Sequence, residues 1–366
     1  MSLPSEPVEF FNRYTGKTET EVIYGEGFLR WAYESKAGRV TLATLVKRKL
    51  FSSWYGWRMS TPASRERVLP FIEKYGINRA EMAGEPEYYP TFNAFFARKL
   101  KPSARPIAEE PDTIAFPADG RHFAIPDIEA SDGIFVKGIP FDLRTLLQDD
   151  ALAEKFAKGS MIISRLCPVD YHRFHFPCAG VPGEAKLING PLYSVSPIAL
   201  RQRPTLLWEN KRYLVRLHTE QFGEVLLLEV GATCVGTVKQ TYRAGEPVQK
   251  GQEMGYFIFG GSCFITIFEP GRVKLSADLL KHSAQQHEVY ARMGDVAATL
   301  RKPGQEDKEQ QSEEELALAS KEGAPASSPS SVQEREAIGA LQEVGPSGPT
   351  AGVGSSDPTE GAAAEI

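Results

Sequence analysis

Two textures of hydrophobic spacing alternate along this chain. Over Thr41–Phe51 the apolar residues Leu42, Leu45, Val46 and Leu50 recur at helical spacing and predict an amphipathic helix. From about Asp112 to Ala291 the pattern becomes short apolar runs broken by Gly and Pro, which predicts strands. Val225–Val230 and Phe264–Phe268 are the clearest of these, and Arg243–Gln252 reads as a turn-rich connector between them. Beyond Leu300 there is no aromatic residue, and Pro, Gly, Ser, Ala and Glu dominate. Such a segment buries too little apolar surface to offset the entropy of ordering it. The expected fold is therefore α+β: a helical region over 1–88, a β-rich, sandwich-like domain over 89–300, and a disordered acidic tail over 301–366.

Charge sharpens this division. The net charge of -5 combines a tail carrying 5 basic and 13 acidic residues with a body of about +3. A mildly basic body argues against nucleic acid as a partner. Between Gly27 and Val68 nine Lys/Arg face two Glu, and Lys47, Arg48 and Lys49 are followed by Trp54, Tyr55, Trp57 and Arg58. Cations mixed with amphipathic rings suit an anionic membrane surface, while a helix packed on the core with solvated lysines outside remains the plain alternative. The longest uncharged apolar stretch, Tyr256–Phe268, has 13 residues and a Gly-Gly within it, too short to span a bilayer. The N-terminus shows no basic segment followed by an apolar one, and the four cysteines show no CxxC pair. Together these predict a peripheral protein on the cytoplasmic side of a membrane.

Reactive side chains concentrate in three non-helical places. Asp119 lies in the turn Phe116–His122. His172 and His175 lie in Cys167–Cys178. Ser262 follows Gly260 and Gly261 immediately before a strand. Asp, His and Ser are the parts of an activated hydroxyl nucleophile, whose members are defined by role and not by chain order. Each segment alone has a bland reading as a turn, a structural histidine or a loop. His172, His175 and Cys178 could also supply zinc ligands, but no second ligand pair accompanies them, and no metal is expected. The Gly-x-x-Val-x-Lys-Gly-Gln pattern ending at Gln252 resembles a hairpin of lipoyl- and biotinyl-type domains; with Lys250 as the only lysine on offer, it reads as architecture and not as a carrier site.

Taken together, Pro117–Gly120, Asp170–Pro177 and Gly260–Ser262 resemble the pyruvoyl-dependent phosphatidylserine decarboxylases, and Thr91–Ile107 is similar to the stretch that precedes the Asp motif in that family. The resemblance covers about residues 10–295 and leaves out the tail. One departure stands out: the family continues the cleavage motif with Thr or Ser, and here Cys263 follows the serine. The resemblance implies that Ser262 attacks the Gly261 carbonyl, assisted by His175 and Asp119, and that Ser262 becomes a covalent pyruvoyl group. It implies a β chain of residues 1–261 and an α chain of residues 262–366 that stay associated. The pyruvoyl would form a Schiff base with phosphatidylserine, and His172 would handle substrate or proton as CO2 leaves to give phosphatidylethanolamine. Which histidine serves which step is open, as is assembly into a homodimer. Two rival readings remain at this point: a serine hydrolase that stops at self-cleavage, and a non-catalytic domain that binds a membrane or a partner.

Overall fold

The computed structural model describes residues 7–302 except 24, 36, 39–53, 55, 132, 135, 137, 233–237 and 260–261. The helix expected over Thr41–Phe51, most of the acidic tail and the Gly260-Gly261 pair therefore lie outside the described residues.

The N-terminus is not a helical region. It opens with strands β1 (Glu9–Asn12) and β2 (Lys17–Thr20), an antiparallel hairpin whose turn ends at Gly16 with φ +66°. The short helices α1 (Glu26–Glu34) and α2 (Val68–Tyr75) come only afterwards. The hairpin forms because β1 has a distant partner, strand Glu288–Ala291, along which it runs in parallel with Phe10 opposite Glu288. That pairing joins residues almost the whole body apart, and no local periodicity announces it.

The remaining strands, in chain order, are β3 (Thr113–Ala115), β4 (Gly120–Ile125), β5 (Ser160–Leu166), β6 (Arg173–His175), β7 (Val181–Pro182), β8 (Lys186–Ile188), β9 (Arg212–His218) and β10 (Glu224–Val230). They continue with β11 (Val238–Gln240), β12 (Glu253–Phe257), β13 (Ser262–Phe268), β14 (Val273–Leu275), β15 (Glu288–Ala291) and β16 (Val296–Leu300). A ten-stranded sheet runs β2-β1-β15-β4-β5-β13-β10-β9-β7, with β8 also on β9. Two three-stranded sheets, β11-β12-β6 and β14-β16-β3, complete the β structure.

Strands β10 and β13 are buried at all seven positions, which explains their almost unbroken apolar sequences: both faces of the central sheet are covered. Cys263, Ile265 and Ile267 face one core, shared with helical residues such as Leu146, Phe156 and Leu207. Phe264 and Phe268 face the other core, where β6 and β12 contribute Phe174 and Phe257. The sandwich is thus sheet on sheet on one side and helices on sheet on the other. Within it Lys250 is tied down, donating to the Thr113 hydroxyl at 2.8 Å and to the Glu110 carbonyl.

Candidate active site

The central sheet brings the three reactive segments to one end. Ser262 opens β13 opposite Leu166 of β5, and Arg165 pairs with both Cys263 and Arg121, so Gly120 and Asp119 lie at the same end two strands away. Gly120 is needed there: a Cβ at this position would lie 2.5 Å from the Arg165 carbonyl oxygen. The close approach lets β4 seat against β5 and fixes where Asp119 begins.

Asp119 is buried, and its carboxylate is gripped from one side by Arg105, whose Nε and Nη2 donate at 2.8 and 2.6 Å. The Met293 amide donates to the same carboxylate at 2.9 Å. Arg105 is held in turn by Glu81, through Nη1 at 2.9 Å. His175 is tied to the aspartate loop by its own backbone, since its amide donates to the Pro117 carbonyl at 2.8 Å. Burial pushes the His175 imidazole down to about 4, with Glu253 and then Asp119 opposing the shift, so the ring is neutral near pH 7 and able to accept a proton. Its Nδ1 has no hydrogen-bond partner.

His172, fully buried, turns the other way. Its Nδ1 donates to the Asp170 carbonyl at 3.0 Å, which makes Nε2 the basic atom of the ring. Its ring packs on Phe96 with centroids 3.9 Å apart, and Phe96 packs on Phe259 at 4.9 Å. Phe259 is the last described residue before Ser262, and its amide is held by Asn93 at 3.0 Å. Helix α3 (Phe92–Phe96), capped by the Thr91 side chain, therefore braces the segment that leads into the serine.

The Ser262 hydroxyl is fully buried and has no hydrogen-bond partner. No hydrogen bond joins Asp119 to His175, or His175 to Ser262, so the fold collects the expected groups without linking them into a relay. Cys263 points into the opposite core from Ser262, and burial pushes its thiol up. The residue that departs from the family pattern thus stands clear of the serine's face. Among the described residues no group of three or more His, Cys, Asp or Glu is arranged to hold a metal ion.

Comparison with known proteins settles what this arrangement belongs to. A family model described as phosphatidylserine decarboxylase matches residues 92–298. The chain belongs to the phosphatidylserine decarboxylase family. It is 41% identical over 290 residues to a phosphatidylserine decarboxylase proenzyme of Fusobacterium nucleatum, covering 79% of this chain and 97% of the relative. It is 42% identical over 285 residues to the proenzyme of that name from Chlamydia trachomatis, covering 78% and 95%, and 40% identical over 292 residues to that of Clostridium beijerinckii, covering 80% and 99%.

Several features of this phosphatidylserine decarboxylase family site were not legible beforehand. Arg105 stood in a noted segment with no role. Behind the sheet, Arg165 binds Glu21 and Glu288 with Nη2 at 2.5 Å to each, while Arg121 binds Asp170 at 2.6 Å. Asp170 also accepts from the Cys167 amide at 2.7 Å, which anchors the histidine loop. Glu229, buried in β10 opposite Phe264, lies diagonally across from Ser262 on the same face, and burial pushes its carboxyl up to about 8. For Arg121, Arg165 and Glu229 the only signal was a charge inside a largely apolar strand.

Proposed function

We propose that the chain is a self-processing enzyme that converts phosphatidylserine to phosphatidylethanolamine and CO2, using a pyruvoyl group made from Ser262. The observation that carries this reading is the Ser262 hydroxyl: buried, without a hydrogen-bond partner, at the first position of a central strand and immediately after two glycines. A hydroxyl so placed contributes nothing to stability and is poised to react.

In maturation, neutral His175 takes the proton from Ser262 Oγ as the oxygen bonds to the Gly261 carbonyl carbon. Asp119, oriented by its ion pair with Arg105, favours the imidazolium that results. Breaking the Gly261–Ser262 C–N bond leaves an ester, and the proton returns to the freed amine. Loss of the Ser262 Cα proton then expels the Gly261 carboxylate, and hydrolysis of the dehydroalanine releases ammonia and leaves the pyruvoyl cap. The α chain stays bound because β13 lies between β5 and β10, hydrogen-bonded to both.

The neighbours of Ser262 in the chain fit such a cap: Phe264 follows it on the same face of β13, and Phe259, three residues before it, packs on Phe96, which packs on His172. When formed, the pyruvoyl carbonyl supplies an electron sink for the pair released by CO2. His172 holds its basic Nε2 at this cluster to deliver or accept the proton that replaces CO2. Sodium cyanoborohydride added with phosphatidylserine is expected to trap a product adduct on residue 262 at the α-chain terminus. Label found on a lysine instead would remove the pyruvoyl mechanism.

The enzyme is further proposed to act peripherally on the cytoplasmic face of an anionic membrane. Trp57 and Trp54 are 66% and 51% exposed, and the Arg58 guanidinium stacks over Trp54, a pairing suited to a headgroup layer. Among the described residues no helix is long and apolar enough to cross a membrane. Binding to phosphatidylserine vesicles is expected to weaken as salt rises; salt-independent binding would leave this contact without its electrostatic basis.

A further inference from the structure

The buried arginines differ in what neutralises them. Arg105, Arg121 and Arg165 are each paired with carboxylates, and Arg212 donates to the carbonyls of Leu146, Asn210 and Thr145. Arg98, two residues beyond α3 and 4% exposed, differs from all of these. Its Nη2 donates at 3.2 and 3.3 Å to the carbonyls of Val169 and Asp170 and its guanidinium lies over the Phe95 ring, but Nε and Nη1 have no hydrogen-bond partner, and among the described residues no carboxylate stands within ion-pair distance. A guanidinium buried with two donors idle is costly, and the cost is met when an anion arrives.

Its position says where that anion would sit. The Asp170 carbonyl that receives Arg98 Nη2 also receives His172 Nδ1, so the guanidinium and the imidazole meet at one oxygen atom. Phe96 packs against His172 and against Phe259, on the approach to Ser262. Burial lowers the affinity of Arg98 for its proton, while Asp119 and Asp170 act from a distance to keep it charged.

We propose that Arg98 binds the phosphodiester of the substrate through Nε and Nη1, placing the amino acid headgroup between His172 and residue 262. This rests on the reading of the site given above. Two anions of the substrate compete for such a fork. A guanidinium on the carboxylate would stabilise the group that must leave as CO2 and so raise the barrier. The phosphodiester keeps its charge through the whole reaction, so a grip on it orients the headgroup without that penalty. A third anion, the Gly261 carboxylate released in maturation, arises two residues past Phe259 and is separated by the test.

The test uses the mature two-chain enzyme and its Arg98→Met and Arg98→Lys variants, each first weighed intact to establish that residue 262 has been converted. For Arg98→Met the KM for phosphatidylserine is expected to rise about 10- to 100-fold, the loss of two charge-assisted hydrogen bonds, with a smaller change in kcat. Inhibition by glycerophosphoethanolamine, which has the phosphodiester and amine but no carboxylate, should weaken by a similar factor, whereas inhibition by free serine should not change. Arg98→Lys should lie between the two. Weakened inhibition by serine alone would assign Arg98 to the carboxylate, and unchanged inhibition by both would assign it to Gly261 or to structure; either overturns the proposal. If both variants fail to mature while the unaltered chain does so, Arg98 belongs to maturation, and the proposal is equally overturned. Failure of the unaltered chain to mature would instead strike the underlying reading.

Discussion

The two faces of the central sheet at its Ser262 end treat polar groups in opposite ways. On the face shared with Cys263, Arg165 and Arg121 are ion-paired with Glu21, Glu288 and Asp170 at 2.5–2.6 Å. On the face shared with Phe264, Ser262 Oγ is buried with no hydrogen-bond partner, as are His175 Nδ1 and two nitrogens of Arg98 elsewhere in the site segments. The ion pairs of the first face support the fold, whereas the partnerless groups of the second are those that the proposed function leaves open to a substrate or a reacting bond.

The strongest challenge to this contrast is to remove the reactive face one group at a time. His175→Ala and Asp119→Ala are each expected to slow maturation by on the order of 100-fold or more and to accumulate the 366-residue chain. His172→Ala should still mature to two chains yet release little CO2, because its ring joins the Phe96–Phe259 cluster and not the aspartate loop. Electrophoresis and a CO2-release assay separate these outcomes, and the reverse pattern would exchange the two histidine roles.

Stability should divide the faces in the other sense. Arg165→Met strands two buried carboxylates and is expected to cost about 3–5 kcal/mol, read by urea denaturation in an uncut background. Ser262→Ala removes a hydroxyl with no partner and should change stability by less than about 1 kcal/mol in the same assay. Equal costs would erase the distinction between the faces.

The faces can also be compared through pH. Burial lowers His175 to about 4 and His122 to about 3, both below the value near 6.5 of an unfolded chain. Between pH 6.5 and 4 the unfolded chain binds more protons, so stability is present in full above 6.5 and is lost as pH falls. The slope is about 1.4 kcal/mol per pH unit for each such histidine. A His175→Gln variant should show a shallower acid limb, and an unchanged limb would mean that His175 is not buried as a neutral ring.

How much of this was legible in the sequence follows from the range of each interaction. The β10 and β13 strands announced themselves, because burial on both faces demands continuous apolar runs. Asp119, His172, His175 and Ser262 were legible as three short segments, and the fold brings all three to one end of the sheet. The β1–β2 hairpin was misread as helical because the strand that stabilises it, β15, lies near the far end of the body. The network joining Glu21, Arg121, Arg165 and Glu288 was invisible for the same reason. Arg98 and Arg105 could not be told apart, since a sequence does not reveal which arginine has found a carboxylate.

The central claim is that Ser262 cuts the chain and is itself converted, and intact mass of the purified protein beside Ser262→Ala tests it most directly. The unaltered protein should resolve into residues 1–261 and a chain beginning at position 262 whose mass is that of a pyruvoyl-capped terminus, while Ser262→Ala should remain a single chain of 366 residues. An unaltered protein found only as one chain, or a Ser262→Ala protein cut at the same bond, would contradict it.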